Sequence, residues 1–258
     1  MTNPRSLWPR EHGAYAALGF PILTGLTVGV PTVTALAVAS AAVALFLAHE
    51  PVAVLTGMRG ERLQTEAGDR ARVRLTVLIG LGLVLGLVGM GTASADVRLA
   101  VCVPAAALLA LVPWVVRRRQ KTFGGELMVI VAFATTVVPI SIAVGASWRL
   151  AWTAGVVWLV SFGLGTFAVH ALKLRHKQGA DAGWVAATSL VLAVAVVTTA
   201  VAGALLGRLP VPIAVALLPP AILVIGLALF PVHPRRLKRV GWSLVSANGV
   251  TWICLLLW

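Results

Sequence analysis

The stretch that decides the fold runs from residue 75 to residue 119 and reads LTVLIGLGLVLGLVGMGTASADVRLAVCVPAAALLALVPWVVRRR. It contains two apolar runs, 75–93 and 99–116, each close to the roughly 20 residues that an α-helix needs to cross a bilayer. Only a few residues separate the runs, among them Asp96 and Arg98, so a tight hairpin must join them. The stretch therefore predicts two membrane spans, the second of which is followed by three consecutive arginines.

Apolar runs of this kind recur along the whole chain. The others lie at 13–30, 33–48, 125–146, 151–171, 184–206, 211–231 and 242–258. Hydrophobic residues make up 59% of the 258 residues, well above the roughly 45–50% apolar usage of soluble domains. The sequence predicts an all-α polytopic membrane protein with nine transmembrane helices in a single domain, 1–258, joined by short loops except for a long connection over residues 51–74.

The distribution of Lys and Arg predicts the orientation of these nine spans. Of the 21 Lys and Arg residues, all but Arg98, Arg149 and Arg208 precede span one or lie in the loops after spans two, four, six and eight. Cytoplasmic loops carry the excess of basic residues, so we predict that the N-terminus is cytoplasmic and the C-terminus lies outside. The same rule accounts for the net charge of +13, and no nucleic acid partner is expected.

Ionisable groups are costly near hydrocarbon, so those at the ends of spans are the informative ones. Carboxylate and imidazole groups are the usual proton-transfer groups of enzymes. The catalytic candidates of these two types, all on the predicted cytoplasmic side, are Glu11 and His12 before span one, His49 and Glu50 at the end of span two, and Glu126 at the start of span five. The alternative is helix capping in the headgroup region, where an acid complements the helix dipole.

Two arginines near the end of span two are candidates for substrate binding. Residues 57–62 form a Gly-flanked basic segment, in which backbone amides together with Arg59 and Arg62 can hold a phosphate. The alternative is an interfacial loop whose arginines contact anionic lipid headgroups.

Polar residues at spans five and six complete the binding candidates. Arg119, Thr122 and Glu126 are spaced so that they share one face if the segment is helical, and Glu126 is expected to form a buried pair with an Arg or Lys. His170 and Lys173 have the same three-residue spacing at the end of span six. Snorkelling of the lysine to the membrane surface is the alternative.

Three motifs in the first quarter of the chain resemble those of a known family. They are Trp8-Pro9-Arg10-Glu11-His12-Gly13-Ala14-Tyr15, His49-Glu50-Pro51 and Arg59-Gly60-Glu61-Arg62. The resemblance is to the YwiC-like family of bacterial membrane proteins. It implies a multi-pass protein of the cell inner membrane. It does not imply a particular activity.

A weaker similarity is to the UbiA superfamily of intramembrane prenyltransferases, which also has nine helices. That superfamily builds its site at the cytoplasmic ends of helices two and six, where this chain has His49-Glu50 and His170-Lys173, and Lys121-Thr122 is similar to a basic-Thr motif of the superfamily. The two Asp-rich motifs that hold magnesium and a prenyl diphosphate are missing. The similarity implies a UbiA-like bundle and an isoprenoid or phospholipid ligand. Because the two motifs are missing, no metal and no cofactor are expected.

Three classes of function fit these features. The first is a lipid-handling protein or enzyme, whose partners are membrane lipids and whose polar site lies at the cytoplasmic ends of spans one, two, five and six. The second is a small-solute transporter, for which midplane charges and broken helices are expected. The third is a scaffold of a membrane complex, with the basic loops as docking surfaces. Clustering of the polar groups on one side favours the first class and leaves open whether the protein is an enzyme.

Overall fold

A computed structural model of the chain describes residues 7–8, 12–117, 119, 122–178, 183–230, 232–233 and 236–258. Within these residues helices are the only regular secondary structure and there is no strand, which confirms the predicted all-α class. The helices are α1 (His12–Thr27), α2 (Val33–Leu55), α3 (Glu61–Thr92), α4 (Ala95–Val116), α5 (Phe123–Thr135), α6 (Val137–Ala143), α7 (Trp148–Gln178), α8 (Gly183–Leu205), α9 (Val211–Leu229) and α10 (Leu237–Leu256).

Seven segments of the described chain are long and apolar enough to cross a membrane. They are α2, α3, α4, α5 together with α6, α7, α8 and α9. The chain is therefore a multi-pass membrane protein. The other two predicted spans coincide with α1, which is apolar but has only 16 residues, and with α10, whose first turn carries Lys238 and Arg239. That these two helices also cross stays a prediction.

The predicted long connection over residues 51–74 is wrong. α2 and α3 cover most of this range, and only residues 56–60 join them. Hydropathy marks the part of a helix that lies in hydrocarbon, whereas a helix can continue into water when its charged side chains pair at i+3 and i+4. Arg62 and Glu66 form such a pair in the first turns of α3, at 2.7 Å.

The predicted fifth span, 125–146, is a helix with a break. α5 ends at Thr135 and α6 begins at Val137. Because Pro139 has no backbone N–H, the carbonyl group of Thr135 loses its helical partner. The hydroxyl of Thr136 donates to the carbonyl oxygen of Phe133 at 2.6 Å and closes the last turn of α5.

α1 lies among α5, α6, α7 and α10. A Cβ atom built on Gly25 would lie 2.7 Å from Cγ2 of Ile140, so α1 approaches α6 as closely as only glycine allows. On the α7 side, Nε1 of the fully buried Trp158 donates to Oγ1 of Thr24 at 3.0 Å. These contacts anchor the last turns of α1, while near its start the ring of Tyr15 contacts Phe46 of α2. The end of the bundle where α1, α3 and α5 begin and α2 and α7 end is called the basic end below.

Candidate functional site

The turn between α2 and α3, residues 56–60, brings Arg59 back to the end of α2. Gly57 and Gly60 have φ angles of 70° and 96°, in the left-handed region that favours glycine. The backbone N–H of Arg59 donates to the carbonyl oxygen of Ala53 at 3.2 Å. The side chain of Arg59 is thereby directed at the last turns of α2.

Arg59 and Glu50 form a buried ion pair at this point. Nη2 of Arg59 lies 2.5 Å from Oε2 of Glu50, and the side chains are 23% and 2% exposed. Nε of Arg59 is also buried and has no hydrogen-bond partner among the described residues. Burial of two charges in an apolar bundle is expensive even when they are paired. The pair therefore combines a costly placement with a buried donor that lacks a hydrogen-bond partner.

An aromatic row near this ion pair links α1, α2 and α5. The ring of Tyr15 meets Phe46 edge to face at 5.2 Å between centroids, and Phe46 meets Phe133 in the same way at 5.7 Å. Tyr15 also lies within electrostatic range of Glu50. We call Tyr15, Glu50 and Arg59 the Glu50 cluster. It joins α1, α2 and the α2–α3 turn.

Two further candidates from this part of the sequence, His49 and Arg62, do not belong to the Glu50 cluster. His49 is exposed whereas Glu50 is buried, because adjacent residues on a helix project about 100° apart. Arg62 lies in the first turn of α3, is 77% exposed and bonds to Glu66. The predicted phosphate turn is therefore not built as expected: Arg59 and Arg62 each bind a carboxylate, and they lie on different elements.

A second group forms where α5 begins and α7 ends. Nζ of Lys173 lies 3.5 Å from Oε1 of Glu126, and the two side chains are 46% and 30% exposed. The ring of Phe123 lies 4.9 Å from that of His170. We call these four residues the Glu126 cluster. The expected basic partner of Glu126 is thus Lys173, on another helix, and the pair is half-exposed rather than buried.

Thr122 has a structural role in this group. It is the N-cap of α5, where its hydroxyl accepts from the backbone N–H of Gly125 at 3.4 Å and donates to the carbonyl oxygen of Arg119 at 2.7 Å. α5 begins only at Phe123, so Arg119 does not share a helical face with Glu126. The predicted i, i+3, i+7 stripe of Arg119, Thr122 and Glu126 is therefore wrong.

The other candidates are only partly described. Glu11 and Lys121 lie outside the described residues, and of His12 only the helical backbone is described. Within the described part of the chain, no group of three or more His, Cys, Asp or Glu side chains is placed to hold a metal ion.

An open groove of about 590 Å³ lies on the α2–α3 hairpin at the basic end. Its polar lining is Trp8, Asp69, Arg70 and Arg74, and its apolar lining is Leu47, Val73, Val77 and Leu78. The guanidinium carbon of Arg74 lies 4.3 Å from the centre of the Trp8 ring, within the range of a cation–π contact. We call this the Trp8 groove.

Sequence reasoning assigned Arg70 and Arg74 to topology alone and placed them in a loop. A signal was present, because the two residues are spaced i, i+4 immediately before the apolar run of α3. On a helix this spacing puts both side chains on one face. α3 is already helical at this point, because it begins at Glu61.

The comparisons with known proteins give one match. A family model described as YwiC-like protein matches residues 8–141, which contain the Glu50 cluster, the Trp8 groove and Glu126. No curated protein and no solved structure matches the chain. The matched region is just over half of the chain and carries the motifs around Trp8, Glu50 and Arg59. The chain therefore belongs to the YwiC-like protein family.

Proposed function

We propose that this protein is a lipid-handling protein of the bacterial inner membrane, with nine spans, a cytoplasmic N-terminus and an external C-terminus. The positive-inside rule supports the orientation, because the basic end of the bundle carries most of the Lys and Arg residues. In this arrangement the Glu50 and Glu126 clusters both lie at the cytoplasmic surface, at the ends of spans one, two, five and six. An anionic lipid headgroup binds there, and its chain remains in the bilayer.

The observation that carries the proposal is the buried pair of Glu50 and Arg59. A charged pair near hydrocarbon is expensive, so its presence points to a functional role. Arg59 retains an unsatisfied Nε donor, and a guanidinium group binds phosphate oxygens through two parallel N–H donors. Arg59 therefore supplies the contact to the headgroup, while Glu50 fixes its orientation. If the bound lipid is transformed, Glu50 and Glu126 are the carboxylates for proton transfer.

The test is native mass spectrometry of the purified protein with extraction and identification of the retained lipid. The variants Glu50→Gln and Arg59→Gln are expected to lose a defined lipid that the original chain retains. Glu66→Gln and Arg236→Gln are the matched controls, because they make the same chemical changes at exposed positions. Retention of the same lipids by all five proteins would reject the proposal.

A further variant separates lipid binding from folding. Arg59→Lys keeps the charge opposite Glu50 but removes the planar fork and the Nε donor. We expect its melting temperature to stay near that of the original chain while lipid retention falls. Equal retention in this variant would remove Arg59 from the headgroup site.

One observation favours transport as a second candidate. The break between α5 and α6 gives a discontinuous helix, a feature of transporter binding sites. Close to the break, Ser141 is fully buried, and its Oγ has no hydrogen-bond partner among the described residues. Solute flux in proteoliposomes that is abolished by Ser141→Ala and survives Glu50→Gln would favour transport over lipid handling.

A further inference from the structure

The Trp8 groove has the composition of a lipid site rather than of a solute site. Arg70 and Arg74 lie one helical turn apart at one end of the groove, and Val73 and Val77 lie beside them on the same helix. Val73 and Val77 are 66% and 60% exposed, so the apolar part of the groove opens toward the hydrocarbon. The lining is largely apolar, so a ligand that fills the groove must be mostly apolar, and the two guanidinium groups at one end favour an anionic headgroup.

The depth of the groove in the membrane agrees with this composition. The apolar part of α3, residues 75–92, is roughly 27 Å long at about 1.5 Å per residue, close to the thickness of the bilayer core. Arg74 comes immediately before this segment, and Arg70 lies one turn farther from the hydrocarbon. The two guanidinium groups are thus at the level where lipid phosphates lie, and Trp8 is at the depth that indole rings favour.

The acidic residue of the groove does not cancel its positive charge. Asp69 is 97% exposed and lies 3.3 Å from Nη1 of Arg72, which is outside the groove lining. Its charge is offset by that neighbour, so Arg70 and Arg74 leave the groove positive. The ring of Trp8 holds Arg74 at the groove wall. Tyr15 lies within electrostatic range of both Arg74 and Glu50, so the groove adjoins the Glu50 cluster.

From these observations we infer that the Trp8 groove binds one anionic phospholipid of the cytoplasmic leaflet, with its phosphate between Arg70 and Arg74 and one acyl chain along Val73 and Val77. This inference rests on the proposed function, since it names the class of lipid that the protein handles and a binding surface next to the Glu50 cluster. Selectivity follows from charge, because a basic residue at the membrane surface favours anionic over zwitterionic lipid.

The experiment uses the full chain in detergent, titrated with dioleoylphosphatidylglycerol or dioleoylphosphatidylcholine and observed by native mass spectrometry. We expect the first phosphatidylglycerol adduct to bind about tenfold more weakly when Arg70→Gln and Arg74→Gln are combined. The matched control combines Arg236→Gln and Arg239→Gln, which removes the same charge at exposed positions of the same end. This control is expected to bind as the original chain does.

A second readout locates the lipid. Phosphatidylglycerol with brominated chains should quench the fluorescence of Trp8, measured as the difference between the original chain and Trp8→Phe. Unchanged phosphatidylglycerol binding in the Arg70 and Arg74 variant, an equal loss in the control, or equal binding of phosphatidylcholine would each overturn the inference.

The outcome also separates this inference from the proposed function. Loss of lipid in the Arg70 and Arg74 variant, with none in Glu50→Gln or Arg59→Gln, would keep the groove and reject the Glu50 cluster as the headgroup site. The opposite result would reject the groove and keep the cluster.

Discussion

Nη2 of Arg59 lies 2.5 Å from Oε2 of Glu50, although nine positions separate the two residues in the chain. The contact exists because α2 continues beyond its predicted end and the 56–60 turn folds Arg59 back onto it. Only 2% of the Glu50 side chain is exposed, so the carboxylate depends on Arg59 for its neutralisation. This dependence has a measurable consequence for stability.

Removal of either member of the pair should destabilise the protein more than removal of both. Glu50→Gln or Arg59→Met leaves one charge buried without its partner, at a cost of about 3 kcal/mol, the lower end of the usual range because Arg59 is partly exposed. The double variant leaves no unpaired charge. Thermal unfolding in detergent, compared across the four proteins, measures the coupling. Strictly additive losses would contradict a direct interaction between the two side chains.

Substitution of Gly25 should weaken the packing of α1 on α6. In Gly25→Ala the new methyl group would lie 2.7 Å from Cγ2 of Ile140, so the helices must separate, at a cost of about 1–3 kcal/mol. Gly86→Ala is the matched control, since a Cβ at that position meets nothing within 4 Å. Thermal unfolding should show a loss only for Gly25→Ala. A loss of the same size in both variants would show that the effect comes from helix glycines in general.

Thr24→Val should destabilise the contact between α1 and α7. The hydroxyl of Thr24 accepts from Nε1 of Trp158, and without it a buried N–H has no partner, which costs about 1–3 kcal/mol. Thr27→Val is the control, because the hydroxyl of Thr27 bonds only within its own helix. A red or blue shift of tryptophan emission in Thr24→Val alone would report the changed environment of Trp158. Equal stability of the two variants would contradict the role of this hydrogen bond.

Cysteine labelling should establish the orientation of the bundle and whether α10 crosses the membrane. In a background of Cys102→Ala and Cys254→Ala, single cysteines replace Arg72, Arg208 and Leu257, all of which are exposed. With nine spans and a cytoplasmic N-terminus, a membrane-impermeant maleimide should label positions 208 and 257 in intact cells and position 72 only after permeabilisation. Protection of position 257 together with labelling of position 208 would show that α10 does not cross the membrane.

Part of the candidate site could be predicted from the sequence. Glu50, Arg59, Glu126 and Lys173 stand out because charged residues are rare near apolar runs, and each of them is in an ion pair. The pairing itself could not be predicted, because it depends on a turn and on a contact between two helices. The groove residues Arg70 and Arg74 were missed for a different reason: their i, i+4 spacing indicates a common face only when α3 begins well before its apolar part, as it does here.

The sequence by itself determined the all-α membrane class and the approximate position of each apolar segment. The physical reason is local, since the length of an apolar run needs only to match the thickness of the bilayer. The tertiary structure decided where the helices continue beyond the hydrocarbon, where the fifth span breaks, and that Glu50 faces the interior while His49 faces outward. These features depend on how helices pack and turn against one another, and no single segment contains that information.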